Sequence, residues 1–102
     1  MATMHDQMQA GAALLDKALP NWWDGNEKAT IDLDILDMNL GRMCILGQCF
    51  GDYTTGCDEV EVVAFSQDSR EHGFTALMTL DDAYGELTAL WKAEIKRRRA
   101  AE

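Results

Sequence analysis

A chain of 102 residues is long enough for one small globular domain with a modest core, spanning 1–102. Its 47% hydrophobic content, with three Trp, three Phe and two Tyr, excludes a disordered polymer, and no apolar run approaches the roughly 18 residues of a membrane span. A net charge of −9 disfavours nucleic acid as the partner of the body as a whole.

The opening Met-Ala-Thr-Met-His-Asp-Gln has neither the basic nor the apolar region of a signal peptide, so a cytoplasmic protein is expected. A helix is predicted over residues 4–19. Its apolar stripe is Met4, Met8, Gly11, Ala12, Leu15, Ala18 and Leu19. Thr3 is the expected N-cap, with Asp6 closing a capping box, and Pro20 ends the helix.

Residues 20–30 read as a loop, because Asp24-Gly25-Asn26 is strong turn chemistry. Adjacent Trp22 and Trp23 cannot share one face of a regular element, so one is expected on the core and one at its margin. Trp22, Trp23 and Asp24 are therefore the candidate partner-binding residues. A simple lid over the core is the competing reading.

Ile31-Asp-Leu-Asp-Ile35 alternates apolar and acidic residues, as a short half-buried strand does. Its acids lack the glycine and terminal Glu of a calcium loop. The central segment from Cys44 to Cys57 reads as a helix with Met43, Leu46, Gly47, Phe50 and Tyr53 inward. Gly47 implies a close neighbour, while Gly51 and Gly56 read as terminators. Glu59 to Phe65 alternates again, and a second strand pairing with 31–35 is expected. Ser66 should cap a helical turn over 67–72, with Gly73 and Phe74 completing a Schellman ending.

A long helix over residues 80–99 should be the spine of the fold. Thr79 is the expected cap, Asp81 and Asp82 lie in the first turn, and Leu80, Ala83, Tyr84, Leu87, Leu90, Trp91 and Ile95 form the stripe. The stripe fades after Ile95, so the last turn should project beyond the core. The predicted class is thus a mainly helical α+β domain of three to four helices with one short two-stranded β element.

Charge is unevenly spread. Residues 1–91 carry 16 acidic against 4 basic side chains, and residues 92–102 carry five basic against two acidic. Lys96, Arg97, Arg98 and Arg99 either offset the helix macrodipole or contact nucleic acid or an acidic partner. Cys44, Cys49 and Cys57 lack C-x-x-C spacing and read as buried thiols. A zinc site from Cys44, Cys57 and His72 is the alternative.

The pattern Cys44-x-Leu46-Gly47-Gln48, Gly51-x-Tyr53-x-x-Gly56, Gly73-Phe74 and a helix bearing Leu87, Trp91, Ile95 and Arg98 resembles a family of short acidic proteins from viruses of actinobacteria. That family has no assigned activity. The resemblance implies an accessory gene product working inside an infected bacterial host, and it carries over no catalytic residue.

No nucleophile elbow, phosphate loop, dinucleotide fingerprint or metal-ligand cluster is present, so no enzyme activity, catalytic residue, metal or cofactor is expected. The leading expectation is a module that binds a host or viral protein through its acidic surface. Nucleic-acid binding by the basic C-terminal end is the runner-up, and a self-assembling or minor virion component is the third reading.

Overall fold

A computed structural model describes residues 3–20, 22–23, 31–76 and 83–101. Helix α1, Met4–Ala18, starts from the predicted capping box: Asp6 N–H donates to Thr3 Oγ1 at 3.0 Å, and Thr3 N–H donates to Asp6 Oδ2 at 3.1 Å. It buries Met8, Gly11, Ala12 and Leu15 against the end of α4, Gln67–Glu71, and against α5, Ala83–Ala101. Helix α5 is about 28 Å long at 1.5 Å per residue and buries Leu87, Trp91 and Ile95 as expected, with Leu90 half-buried. The expected cap Thr79, with Leu80, Asp81 and Asp82, falls outside the described residues.

The central segment is two helices rather than one. Helix α2, Ile45–Phe50, stops at Gly51, whose φ of 104° bends the chain, and Asp52 caps α3, Tyr53–Glu59. Gly51 is a terminator, as its sequence context predicts, but Gly56 is not. It lies inside α3, where a side chain would collide with Leu46 of α2. The two helices therefore pack closer than any larger residue would allow.

Helix α4, Gln67–Glu71, follows Ser66, whose hydroxyl accepts from Ser69 N–H at 3.4 Å. It ends as predicted: Gly73 N–H donates to Arg70 O and Phe74 N–H to Ser69 O, both at 3.1 Å, with Gly73 at φ 67°. Phe74 then enters an aromatic column. It stacks on Trp91 at 5.9 Å, and Trp91 meets Trp22 edge-on at 5.7 Å. Trp91 Nε1 donates to Gly73 O at 2.7 Å, so the indole fills the core and satisfies a buried carbonyl at once.

The fold is mainly helical, and the expected β element is absent among the described residues. Residues 33–35 form a turn, and 31–32 lead into it without regular structure. Asp32 Oδ1 accepts from Asp34 N–H at 2.9 Å, which curls the chain. The side chain of Gln48, not a strand, pairs with the Asp32 backbone: its Oε1 accepts from Asp32 N–H at 2.7 Å, and its Nε2 donates to Asp32 O at 3.2 Å and to Met43 O at 2.9 Å. At the other predicted strand, Glu59 belongs to α3 and Glu61 turns the chain at φ 62°. Val60 and Val62 still point inward while Glu61 and Val63 point out, so the alternation is genuine but no strand among the described residues answers it.

Candidate functional site

The two clusters singled out by sequence meet each other. Trp22 is fully buried, so it is core and not a surface anchor. Its Nε1 donates to Asp16 Oδ1 at 3.0 Å, and the Arg98 guanidinium lies 5.3 Å from its ring centroid. Trp23 is half-buried, and its carbonyl accepts from Arg99 Nε at 2.7 Å. Arg99 also donates to Ile31 O at 2.9 Å. Asp24 lies outside the described residues.

The last turn of α5 is therefore tied back to the fold through Arg98 and Arg99. Arg98 donates to both Asp16 oxygens, at 2.6 and 3.2 Å, and through Nε to Glu94 at 2.6 Å. Arg97 donates twice to Glu94, at 3.1 and 2.7 Å, and Gln9 Nε2 adds a third partner at 2.9 Å. Burial works to raise the pKa of the Glu94 carboxyl, but these donors overcome it and hold the group down at about 2. Arg98 and Arg99 are consumed in closing the fold, Arg97 is exposed yet engaged, and Lys96 is exposed. Glu94 was legible as the fourth member of the Leu87, Trp91, Ile95 stripe. A carboxylate there is buried only because three donors converge on it.

A second region was not foreseen. A cleft of about 520 Å³ opens between the loop before α2, the start of α3 and the start of α5. Met38, Tyr53, Phe65 and Phe74 form its apolar walls, with Arg42 and Asp52 also lining it. At one end Thr75 Oγ1 and Tyr84 OH share a hydrogen bond of 2.7 Å. Asp52 caps α3, and the Thr55 N–H and Thr54 hydroxyl on its carboxylate keep that group below the usual range.

Phe65 stands at this cleft 72% exposed, on backbone at φ 57°. It is held there. Its N–H donates to Tyr53 OH at 3.0 Å, its ring tilts against Tyr53 at 4.7 Å, and Tyr53 OH is tied to Ser69 Oγ at 2.6 Å. Val63, 68% exposed, and the exposed acids Asp58, Glu59 and Glu61 lie on the same stretch of chain. A signal existed in the sequence. Phe65 precedes the Ser66 cap, where an apolar residue commonly packs on the fourth helical residue, but that residue is Arg70. Phe65 has no local apolar partner.

The cysteines are structural in placement. Cys44 Sγ caps α2 by accepting from Gly47 N–H at 3.3 Å. Burial pushes the Cys44 and Cys57 thiols up and the Cys49 thiol up to about 12, so none is a thiolate at neutral pH. Among the described residues no three His, Cys, Asp or Glu side chains converge as metal ligands. His72, the third member of the zinc alternative, bonds Asp68 O at 2.8 Å and stacks on Phe74. No described helix is long and apolar enough to cross a membrane. No protein-family model, curated protein or solved structure matches this chain.

Proposed function

We propose that this chain is a non-enzymatic protein-binding module whose contact surface is the acidic and apolar ridge from Asp58 to Phe65. The observation that carries this reading is Phe65: a large aromatic 72% exposed, on left-handed backbone, with its main chain and ring pinned by Tyr53. Burying such a side chain on a partner gains roughly 2 kcal/mol, well beyond the contact it makes with Tyr53 alone. Left-handed conformations of bulky residues also persist where surrounding structure imposes them, and they cluster at binding sites. The acidic body adds attraction for a basic partner surface and speeds encounter at low salt.

In this reading the anchor is Phe65 rather than Trp22. The protein acts as an accessory product in the cytoplasm of an infected bacterium, as the viral resemblance implies. It occupies a surface of a host or viral protein. Nucleic-acid binding by the C-terminal end has less to work with, since Arg98 and Arg99 already donate to Asp16, Glu94 and the carbonyls of Trp23 and Ile31.

The test is affinity capture from nuclease-treated host lysate with the natural chain and with Phe65→Ala, both first shown to melt alike. A partner retained by the natural chain and weakened by roughly 2 kcal/mol or more in the variant is expected. Equal capture by both overturns the ridge as the interface. Duplex-DNA binding that falls steeply with salt and disappears on replacing Lys96 and Arg97 would install the nucleic-acid reading instead.

A further inference from the structure

We infer that the cleft beside Phe65 receives one bulky apolar side chain carried on a basic segment of the partner. The inference rests on the protein-binding reading above and names the chemistry recognised. The cleft's size, about 520 Å³, lies within the range of sites that enclose a ligand group. Its walls are Met38, Tyr53, Phe65 and Phe74. Among the described residues every buried side-chain nitrogen and oxygen already has a hydrogen-bond partner. No buried polar atom there calls for a polar ligand, and the Asn39 and Arg42 side chains that also line the cleft belong to exposed residues that water can satisfy.

Charge decides what flanks that occupant. The chain carries −9 overall, and Asp58, Glu59 and Glu61 are exposed on the stretch of chain that leads to Phe65, with no ion pair to a described residue. Among the described residues Arg42 is the one cation that lines the cleft, and the Asp52 carboxylate lines the same space. A Lys- or Arg-flanked segment is drawn to this surface, and an acidic one is repelled. The exposed Val63 and Phe65 extend the apolar contact beyond the cleft, which suits a segment of chain better than a small metabolite.

Three probes of one shape and different charge test this on the full chain by amide-shift titration: tryptamine, indole and indole-3-acetate. Saturable shifts are expected at Met38, Tyr53 and Thr75. Tryptamine should bind about two- to fivefold more tightly than indole-3-acetate, the margin of an exposed charge contact. Gly41→Phe is the blocking variant, since a Cβ there meets only Tyr53 Cβ at 3.7 Å and a larger side chain can grow into the cleft. It should abolish the tryptamine shifts. Phe65→Ala, a change at an exposed position, should weaken them even if the blocking variant folds poorly.

Shifts mapping elsewhere, tighter binding of indole-3-acetate, or no saturation up to about 10 mM would each overturn the inference. The two readings fail separately. Loss of tryptamine binding with Phe65-dependent capture intact removes the cleft and leaves the ridge. Tryptamine in the cleft with no captured protein makes the occupant a small molecule and removes both.

Discussion

Helices α3 and α4 end with the same pair of hydrogen bonds, yet only one of them uses glycine. At the end of α4, Gly73 sits at φ 67° against the backbone of Met8, where a Cβ would lie 2.7 Å from Met8 Cα. At the end of α3, Glu61 N–H donates to Asp58 O at 3.2 Å and Val62 N–H to Cys57 O at 2.9 Å, with Glu61 at φ 62°. The left-handed conformation costs an ordinary residue roughly 1–2 kcal/mol. Glycine is compulsory at the first end because α1 leaves no room. At the second end solvent leaves room for a side chain, and the strain is kept. What differs is the neighbourhood: one end is sealed by Trp91, the other leads directly into the exposed ridge of Val63 and Phe65.

That contrast can be broken from the sealed side first. Trp91→Ala removes the ring that fills the core and strands the Gly73 carbonyl, and it should cost roughly 3–5 kcal/mol in a denaturant titration. Gly73→Ala adds the left-handed cost to a collision with Met8 and should cost roughly 2–4 kcal/mol. A loss below about 1 kcal/mol at Gly73 would mean that α1 yields readily, and the distinction between the two ends would collapse.

Acid reaches the sealed end from a distance, because α5 carries Trp91 and is held by Glu94. The Glu94 carboxyl is depressed in the folded chain to about 2 from an ordinary 4.5, so its contribution is complete above about pH 4.5. It is lost as pH falls from 4.5 through 2, and it is on the order of 2–3 kcal/mol. Glu94→Gln should flatten the acid limb of the stability curve, and an unchanged limb would remove Glu94 from the network. The smallest expected effect has the opposite sign. Glu61→Gly should stabilise by about 1 kcal/mol by relieving the strained cap, and a loss instead would show that the Glu61 side chain has a structural partner.

Local signals in the sequence carried furthest where a cap and a helical period agreed. Thr3 with Asp6, Ser66, and Gly73 with Phe74 each do what their spacing implies, and Leu87, Trp91 and Ile95 face the core. The strands failed for an identifiable reason. A period of two reports which side chains point inward, and turns produce it too when Asp32 curls the chain and a Gln48 amide stands in for a partner strand. The basic cluster misled through distance. Nothing near Arg98 in sequence announces Asp16, 82 residues away, or the Trp22 ring beneath it. The ridge escaped because Phe65 looked like the end of a strand, although its missing local partner was readable at Arg70.

The closure by Arg98 also sets an order of events during synthesis. Trp22 leaves the ribosome early, while Trp91 and Arg98, the groups that cover it, belong to the far end of the chain. Until α5 emerges, α1 can meet only α4 and Phe74, and the Trp22 indole lacks the Trp91 ring and the Arg98 guanidinium that cover it. Completion of the core around Trp22 therefore waits on α5. A stall that withholds α5 leaves a sticky N-terminal fragment rather than a smaller working domain.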